Sequence, residues 1–260
     1  MEKLLHCVER GDGTPVVMLH PTPVDHHFWM PVAESFAPGY RVIAPDLPGH
    51  GCSPLGEEPL SMALMAASVL RLLDALGVES AIFCGCSLGG YLLYELWRQA
   101  PERIRALALC CAKPHADSLQ AREGREATIA GLRQQGTAPF FRRVPETLVG
   151  APAKERDPGI ERRLLAMMEP MTSEAVIAVQ RALAARPDSR ETAATIRVPT
   201  AVLAGQLDTA STPLEMRDAA KLIPGSSFYV LQEMGHYAPY EQPRLVGPLL
   251  RRFADDVLAR

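Results

Sequence analysis

The sequence predicts an α/β fold in which helices cover both faces of a mostly parallel sheet. Short apolar runs of strand length recur along the chain and alternate with stretches of helical periodicity. The runs are apolar throughout, as in strands that are buried on both faces. One long stretch, from about residue 115 to residue 190, has no strand signal. It predicts a helical insertion into the sheet domain.

Six apolar runs predict the strands. They cover residues 16–19, 40–44, 81–84, 106–111, 201–204 and 228–231. A helix with leucine and valine on one face is predicted before the run 81–84, where Gly77 ends it, and a second helix follows at 88–98. Two more, at 213–222 and 243–258, begin with proline, which suits the first helical turn.

The insertion is predicted to contain helices at 118–135, 159–168 and 172–185, separated by prolines and glycines. Because strand-like runs resume after it, we expect one core domain, formed by residues 1–114 and 191–260, with a cap formed by 115–190. Open α/β sheets bind ligands at the carboxyl ends of their strands. We therefore expect the cap to be a lid over that edge.

Composition is ordinary for a globular protein and favours neither a nucleic-acid nor a membrane partner; a small-molecule substrate is expected from the motifs described below. The 260 residues carry a net charge of −3, and acidic residues are interspersed among the central arginines, so no basic patch favours nucleic acid. No apolar run approaches the length of a membrane span, and the N-terminus lacks the apolar region of a signal peptide. We expect a cytoplasmic protein with no membrane partner; its oligomeric state is left open.

The segment Gly85-Cys86-Ser87-Leu88-Gly89 stands between a predicted strand and a predicted helix. That order is typical of the nucleophile elbow of serine hydrolases. Glycine two positions before and after the serine removes side chains that would collide in so tight a turn. The serine hydroxyl is then exposed beside the free N–H groups of a helix start. The pattern predicts Ser87 as a nucleophile.

A serine nucleophile needs a base, and the base needs an orienting acid. Asp208 follows the run 201–204, and His236 follows the run 228–231. Taken alone, Asp208 suits a turn and His236 a solvated loop. Together they stand after strand ends and in the chain order Ser, Asp, His that this kind of sheet requires. We predict a triad of Ser87, Asp208 and His236.

The oxyanion hole needs a second donor besides the N–H of Leu88, from the loop after an early strand. That loop is His20-Pro21-Thr22-Pro23. Since proline has no N–H, Thr22 is the predicted donor.

No metal or cofactor is predicted. His20, His26 and His27 have no evident carboxylate or cysteine cluster to complete a metal site, and the cysteine spacings suit zinc poorly. In a reducing compartment the six cysteines are expected to be thiols.

The chain resembles the α/β-hydrolase superfamily over nearly its whole length. Four motifs carry the resemblance: Gly85 to Gly90, Asp46-Leu47-Pro48-Gly49-His50-Gly51-Cys52-Ser53, Gly205-Gln206-Leu207-Asp208, and Gly235-His236 with Glu241 and Pro243. Within the superfamily it looks most like small bacterial serine esterases and 3-oxoadipate enol-lactone hydrolases. Those relatives have glycine in place of Pro21 and usually aspartate in place of Cys111.

The resemblance implies hydrolysis of a carboxylic ester or lactone through an acyl-enzyme. Two alternatives stay open. One is a carbon–carbon bond hydrolase or a cofactor-free tailoring enzyme with the same triad; the other is a non-catalytic ligand-binding member of the fold. Trp29, Phe140 and Tyr237 are candidate substrate contacts in an apolar pocket.

Overall fold

Seven segments pair into a single sheet. In chain order they are β1 (Cys7–Arg10), β2 (Thr14–Leu19), β3 (Tyr40–Pro45), β4 (Ala81–Cys86), β5 (Ile104–Cys110), β6 (Thr200–Gly205) and β7 (Ser227–Leu231). The computed structural model describes residues 3–259. Across the sheet the strands lie in the order β1-β3-β2-β4-β5-β6-β7. All neighbours are parallel except β1, which runs antiparallel to β3.

The six predicted strands are confirmed, and the structure adds β1. This four-residue strand lies at the edge of the sheet, and its residues Glu9 and Arg10 are exposed. An exposed, charged edge strand has no apolar run to mark it in the sequence.

The α-helices of the described residues are α1 (Met30–Ala33), α2 (Met62–Ala75), α3 (Leu88–Gln99), α4 (Leu119–Gln135), α5 (Ala138–Leu148), α6 (Ala151–Arg156), α7 (Ile160–Met168), α8 (Ser173–Ala184), α9 (Arg190–Thr195), α10 (Pro213–Leu222), α11 (Ala238–Glu241) and α12 (Pro243–Leu258). Every predicted helix is present. Within residues 3–259, none is both long and apolar enough to cross a membrane.

The core forms where these helices pack on the sheet. All residues of β4 and β6 are buried, as the uninterrupted apolar runs predict. Helix α3 packs against β4, β5 and α2, and α10 packs against β6 and β7. The six cysteines are free thiols, and four of them are buried in this core.

The chain between β5 and β6 is helical, as predicted. It contains α4 to α9, and no strand occurs among residues 111–199. Ser118 and Thr172 each cap a helix by accepting a backbone N–H, at 3.2 Å in both cases. Helix α4 packs on α5 and α8, and α5 also packs on α7.

The order in which successive strands join the sheet changes direction at β2. Strand β3 lies on one side of β2 and β4 on the other, so the loops that leave β2 and β4 diverge from a common crevice. The last residue of β2, Leu19, pairs with Gly85 of β4. Gly89, in the first turn of α3, packs against this point. A Cβ atom on Gly89 would lie 2.0 Å from the carbonyl oxygen of Leu19.

We expect Gly89→Ala to destabilise the protein by at least about 3 kcal/mol, because the added methyl group meets backbone and not a movable side chain. Gly124→Ala is the matched control. Gly124 lies within α4 with open space around its Cα, and replacing a helical glycine by alanine stabilises by up to about 1 kcal/mol. Urea denaturation measures both. Equal unfolding free energies for the two variants would contradict the close approach at Gly89.

Candidate active site

Ser87 lies where β4 ends and α3 begins, in a backbone conformation that non-glycine residues rarely adopt. Its φ is 49° and its ψ −113°. Its N–H donates to the carbonyl of Cys110 at 3.0 Å, and its own carbonyl accepts from the N–H of Tyr91 at 2.8 Å. The side chain is partly exposed, whereas residues 81–86 and 88–90 are buried. The strained turn therefore presents the hydroxyl at the start of α3.

Asp208 follows β6, His236 follows β7, and their side chains form a hydrogen bond. His236 Nδ1 lies 2.8 Å from Asp208 Oδ2, and both side chains are buried. The other carboxylate oxygen accepts from the N–H groups of Ala210 at 2.8 Å and Ser211 at 3.1 Å. Burial alone would raise the pKa of Asp208, but His236 and these two N–H groups lower it below its usual value. The anionic carboxylate favours a proton on Nδ1, which leaves the lone pair of Nε2 available.

Two buried thiols connect the serine turn to this pair. The Cys86 thiol donates to the carbonyl oxygen of His236 at 3.5 Å, so the residue before Ser87 contacts the backbone of the histidine. Cys111 directly follows β5, and its sulfur lies within 4.8 Å of a ligand atom of both Asp208 and His236. The serine turn, the carboxylate and the imidazole therefore meet at one edge of the sheet.

Within residues 3–259, no protein group hydrogen-bonds to the hydroxyl of Ser87. In substrate-free enzymes the hydrogen bond between nucleophile and base is often long and tightens when substrate binds. The geometry brings Asp208 and His236 into contact, and Cys86, the residue before Ser87, contacts the backbone of His236.

The two thiols are poor nucleophiles in this site. Burial raises the pKa of Cys86 well above its usual value. The hydrogen bond from Cys86 would lower the pKa of Cys111, but burial and the charge of Asp208 raise it. Both thiols are protonated at neutral pH, and only thiolate is strongly nucleophilic.

The two predicted oxyanion donors lie at neighbouring strand ends. Leu88 is the first residue of α3, and Thr22 lies in the loop after β2. Neither backbone N–H donates a hydrogen bond to any described residue. Thr22 is partly exposed, as Ser87 is. Free N–H groups of this kind, one of them at a helix N-terminus, suit a negatively charged oxygen.

His20 fixes the peptide plane that contains the Thr22 N–H. Its Nε2 accepts from the N–H of Leu47 at 2.9 Å, so the ring proton is on Nδ1, which donates to the carbonyl oxygen of Pro21 at 2.8 Å. In a trans peptide the carbonyl and the next N–H point in opposite directions. The Thr22 N–H therefore points away from His20.

Two further side chains hold Thr22 itself. His50 Nδ1 donates to the carbonyl of Pro48 at 3.1 Å, which leaves Nε2 to accept the Thr22 hydroxyl at 2.9 Å. The Tyr237 hydroxyl donates to the Thr22 carbonyl at 2.8 Å. Burial lowers the pKa of His20, and burial together with the nearby His20 lowers that of His50 to about 3. Both imidazoles are neutral, as these hydrogen bonds require.

Glu241 ties the histidine loop to the helical insertion. Its Oε2 accepts from the N–H groups of Gly235 at 2.8 Å and Gly150 at 3.1 Å. In the same region, the carbonyl of Leu148 accepts from the N–H of His236 at 2.8 Å. The sequence motif includes Glu241 but does not reveal these contacts with the insertion.

Ligand-type side chains lie within 4.8 Å of one another in three groups of the described residues: His6, Asp46 and Cys52; Asp25, His26 and His27; Cys111, Asp208 and His236. The Asp46 carboxylate accepts hydrogen bonds from the rings of His6 and His26 and from the backbone N–H groups of His26 and Cys52, at 2.8–3.0 Å. A metal ion bound to Asp46 would have to displace these hydrogen bonds, and one bound to Asp208 would have to displace those from His236, Ala210 and Ser211. The expectation of a site without metal stays a prediction.

The three predicted substrate contacts differ in exposure. Trp29 and Tyr237 are fully buried and each packs edge to face against Phe28, whereas Phe140 is partly exposed. The Tyr237 hydroxyl is donated to the Thr22 carbonyl, and no part of its side chain is exposed. Contact between these residues and a substrate stays a prediction.

A family model described as the alpha/beta hydrolase fold matches residues 14–243, from the first residue of β2 to the first residue of α12. The chain belongs to the α/β-hydrolase family. The match includes every strand except β1, as well as all three predicted triad residues.

Proteins of known name match over most of this α/β hydrolase. A 3-oxoadipate enol-lactonase of Acinetobacter baylyi is 26% identical over 228 residues, covering 88% of this chain and 84% of that protein. A pimeloyl-[acyl-carrier protein] methyl ester esterase of Xanthomonas campestris is 30% identical over 247 residues, with coverages of 91% and 92%. A malate-bound thermophilic esterase of Thermogutta terrifontis superposes with a TM-score of 0.93 at 31% identity, covering 97% of this chain and 93% of that one.

The predicted resemblance, the α/β-hydrolase fold and the classification of the chain as a hydrolase are confirmed by these matches. The assignment of individual site residues rests on the geometry described above and is a proposal.

We expect His50→Gln to reduce the loss of stability in mild acid. His50 has a pKa of about 3 in the folded protein, whereas an unfolded histidine titrates near about 6.5. As the pH falls below that value, the unfolded state binds a proton that the folded state does not, so the free energy of unfolding falls. Between about pH 6.5 and pH 5 this histidine lowers it by about 1.6 kcal/mol.

Urea denaturation of both proteins at the two pH values measures this effect. The comparison isolates His50, because the other titrating groups are shared by wild type and variant. Equal pH dependence in the two proteins would show that the imidazole of His50 is not held neutral.

Proposed function

We propose that this α/β hydrolase cleaves a carboxylic ester or a lactone through an acyl-enzyme, with Ser87 as nucleophile, His236 as general base and Asp208 as orienting acid. The proposal is carried by the buried 2.8 Å hydrogen bond between His236 Nδ1 and Asp208 Oδ2, beside the strained turn of Ser87. A hydroxyl, an imidazole and a carboxylate in this order are the groups that acyl transfer from a serine requires.

In the acylation step the Ser87 Oγ attacks the carbonyl carbon, and His236 Nε2 takes the hydroxyl proton. The charge that develops on the carbonyl oxygen is stabilised by the N–H groups of Leu88 and Thr22. The carbon–oxygen bond to the alcohol then breaks, and His236 returns the proton to the leaving oxygen. With a lactone, that alcohol stays attached to the acyl chain.

In the deacylation step His236 removes a proton from water, and the resulting hydroxide attacks the acyl carbon. The bond to Ser87 breaks, and the serine oxygen regains the proton from His236. Asp208 stabilises the imidazolium in both steps without taking the proton. Its lowered pKa keeps it ionised for this role.

The relatives support the substrate class. By name, the Acinetobacter protein is an enol-lactonase, and the Xanthomonas protein is a methyl ester esterase. Each matches more than four fifths of this chain. The net charge of −3 and the free thiols are consistent with a cytoplasmic enzyme that acts on a small molecule.

Residues 115–190 are proposed to form the lid that selects the acyl and alcohol groups. The hydrogen bonds at Leu148 and Gly150 join the insertion to the histidine loop. On the opposite side of the site, a Cβ on Gly49 would lie 3.2 Å from the Cβ of Ala175 in α8, so the insertion also reaches the loop after β3. Phe140 lies partly exposed on it and is a candidate contact for an apolar substrate.

Replacing Ser87 by alanine should lower the rate of hydrolysis of p-nitrophenyl butyrate and γ-butyrolactone by roughly a thousandfold or more. Asp208→Asn should cause a loss of similar order, because the imidazole then loses its orienting charge. Release of p-nitrophenol and of acid measures the two reactions. A fluorophosphonate probe should label wild type once, and peptide mass spectrometry should place the label on Ser87.

The matched control is Ser80→Ala. Ser80 precedes the other end of β4, where its hydroxyl accepts from Arg105 Nε at 2.8 Å. Its removal should leave turnover unchanged. Wild-type turnover by Ser87→Ala, or a probe that labels another residue, would refute the proposed nucleophile.

A further inference from the structure

We propose that Tyr237 and His50 are positioning residues that aim the Thr22 N–H at the oxyanion. The inference deepens the proposed function and rests on it, because it requires Thr22 to be an oxyanion donor. Neither side chain would touch the reacting atoms; both would act through Thr22.

The geometry at the Thr22 Cα carries the proposal. This carbon bears the N–H, the carbonyl and the side chain. The carbonyl oxygen is held by Tyr237 at 2.8 Å, and the side-chain hydroxyl by His50 at 2.9 Å. When two of these groups are fixed in space, the third has little freedom. The N–H is the group left without a protein partner among the described residues.

The two holding side chains are themselves packed on all sides. Tyr237 and His50 are fully buried. The ring centroids of Tyr237 and Phe28 are 5.4 Å apart, with an angle of 80° between the ring planes. The ring centroids of His50 and His20 are 5.0 Å apart. Burial raises the pKa of Tyr237 well above its usual value, so its hydroxyl is protonated and can donate at neutral pH. Donors fixed before the reaction stabilise an oxyanion without reorganisation.

The loop sequence explains why this support is needed. Thr22 stands between Pro21 and Pro23, neither of which has an N–H. No neighbouring backbone donor can replace the Thr22 N–H if it turns away. The orientation of one peptide group therefore determines whether the second half of the oxyanion hole exists.

Tyr237 also links this donor to the base. It directly follows His236 in the chain, although it lies 215 residues from Thr22. The dipeptide His236-Tyr237 thus supplies the imidazole that moves the proton and also holds Thr22, whose N–H stabilises the oxyanion. A displacement of the histidine loop would disturb both groups at once.

The principal test is Tyr237→Phe, which removes a single hydroxyl. We expect kcat for p-nitrophenyl butyrate to fall roughly ten- to hundredfold, less than the 10²–10³ lost when an oxyanion donor is removed outright, with KM changed less than about twofold. The affinity for an alkyl trifluoromethyl ketone should weaken by a similar factor to kcat, because its adduct with Ser87 carries an oxyanion.

Tyr240→Phe is the matched control. Tyr240 is close to Tyr237 in the chain but lies in α11, and its hydroxyl accepts from Arg163 Nε at 3.3 Å instead of donating to Thr22. We expect this variant to retain both kcat and ketone affinity. Thr22→Val supplies a second test, since it removes the hydroxyl held by His50 and keeps the N–H; kcat and ketone affinity should again fall together. Circular dichroism monitors the folding of each variant. If Tyr237→Phe does not fold, Thr22→Val tests whether holding Thr22 is needed for catalysis.

A folded Tyr237→Phe with wild-type kcat and ketone affinity would overturn the inference, as would a change confined to KM or to thermal stability. The two variants distinguish a failure of this inference from a failure of the proposed function. If Ser87→Ala is inactive and Tyr237→Phe is fully active, only the positioning role is lost. If Ser87→Ala remains active, the proposed function itself fails.

Discussion

The close contact between the first turn of α3 and the end of β2 is the constraint on which the site depends. Gly89 rests against the Leu19 carbonyl, where a Cβ would lie only 2.0 Å away. This contact fixes the start of α3, and with it Ser87 and the N–H of Leu88. The same carbonyl ends the strand from which the Thr22 loop departs. A single backbone approach therefore joins the turn of Ser87, the proposed nucleophile, to the strand that leads into the loop of Thr22, the proposed second oxyanion donor.

The peptide groups on both sides of Thr22 are held by neutral side chains. His20, His50 and Tyr237 are buried, and their environment keeps each of them uncharged at neutral pH. Buried neutral hydrogen bonds fix a loop without the desolvation cost of a buried ion. They also add no charge that would compete with the oxyanion or with the imidazolium. The ionised carboxylate of Asp208 acts on His236 through their buried 2.8 Å hydrogen bond.

The sequence was sufficient for the parts of the site that follow from strand order. Each of Ser87, Asp208 and His236 follows an apolar run, and a parallel sheet brings such positions to one edge. It could not reveal the contacts of Tyr237 or Cys111, because these join residues far apart in the chain through loops without periodicity. Strand β1 was not predicted for a local reason: its exposed charged residues interrupt the apolar run by which a strand is recognised in the sequence. The fold and the proposed triad can be predicted from sequence patterns, whereas the contacts that support the loops can be seen only in the packed structure.

The insertion and the catalytic edge are not independent parts. The N–H of His236 donates to Leu148, and Glu241 binds the N–H of Gly150, both inside the protein. Separating segment 148–150 from the histidine loop would leave these buried groups unpaired, at about 1–3 kcal/mol for each. An opening motion that preserves the base must therefore keep this segment in place and move the helices on either side of it. If the insertion is the proposed lid, sequence changes in α4, α5, α7 and α8 would alter substrate choice while His236 stays fixed.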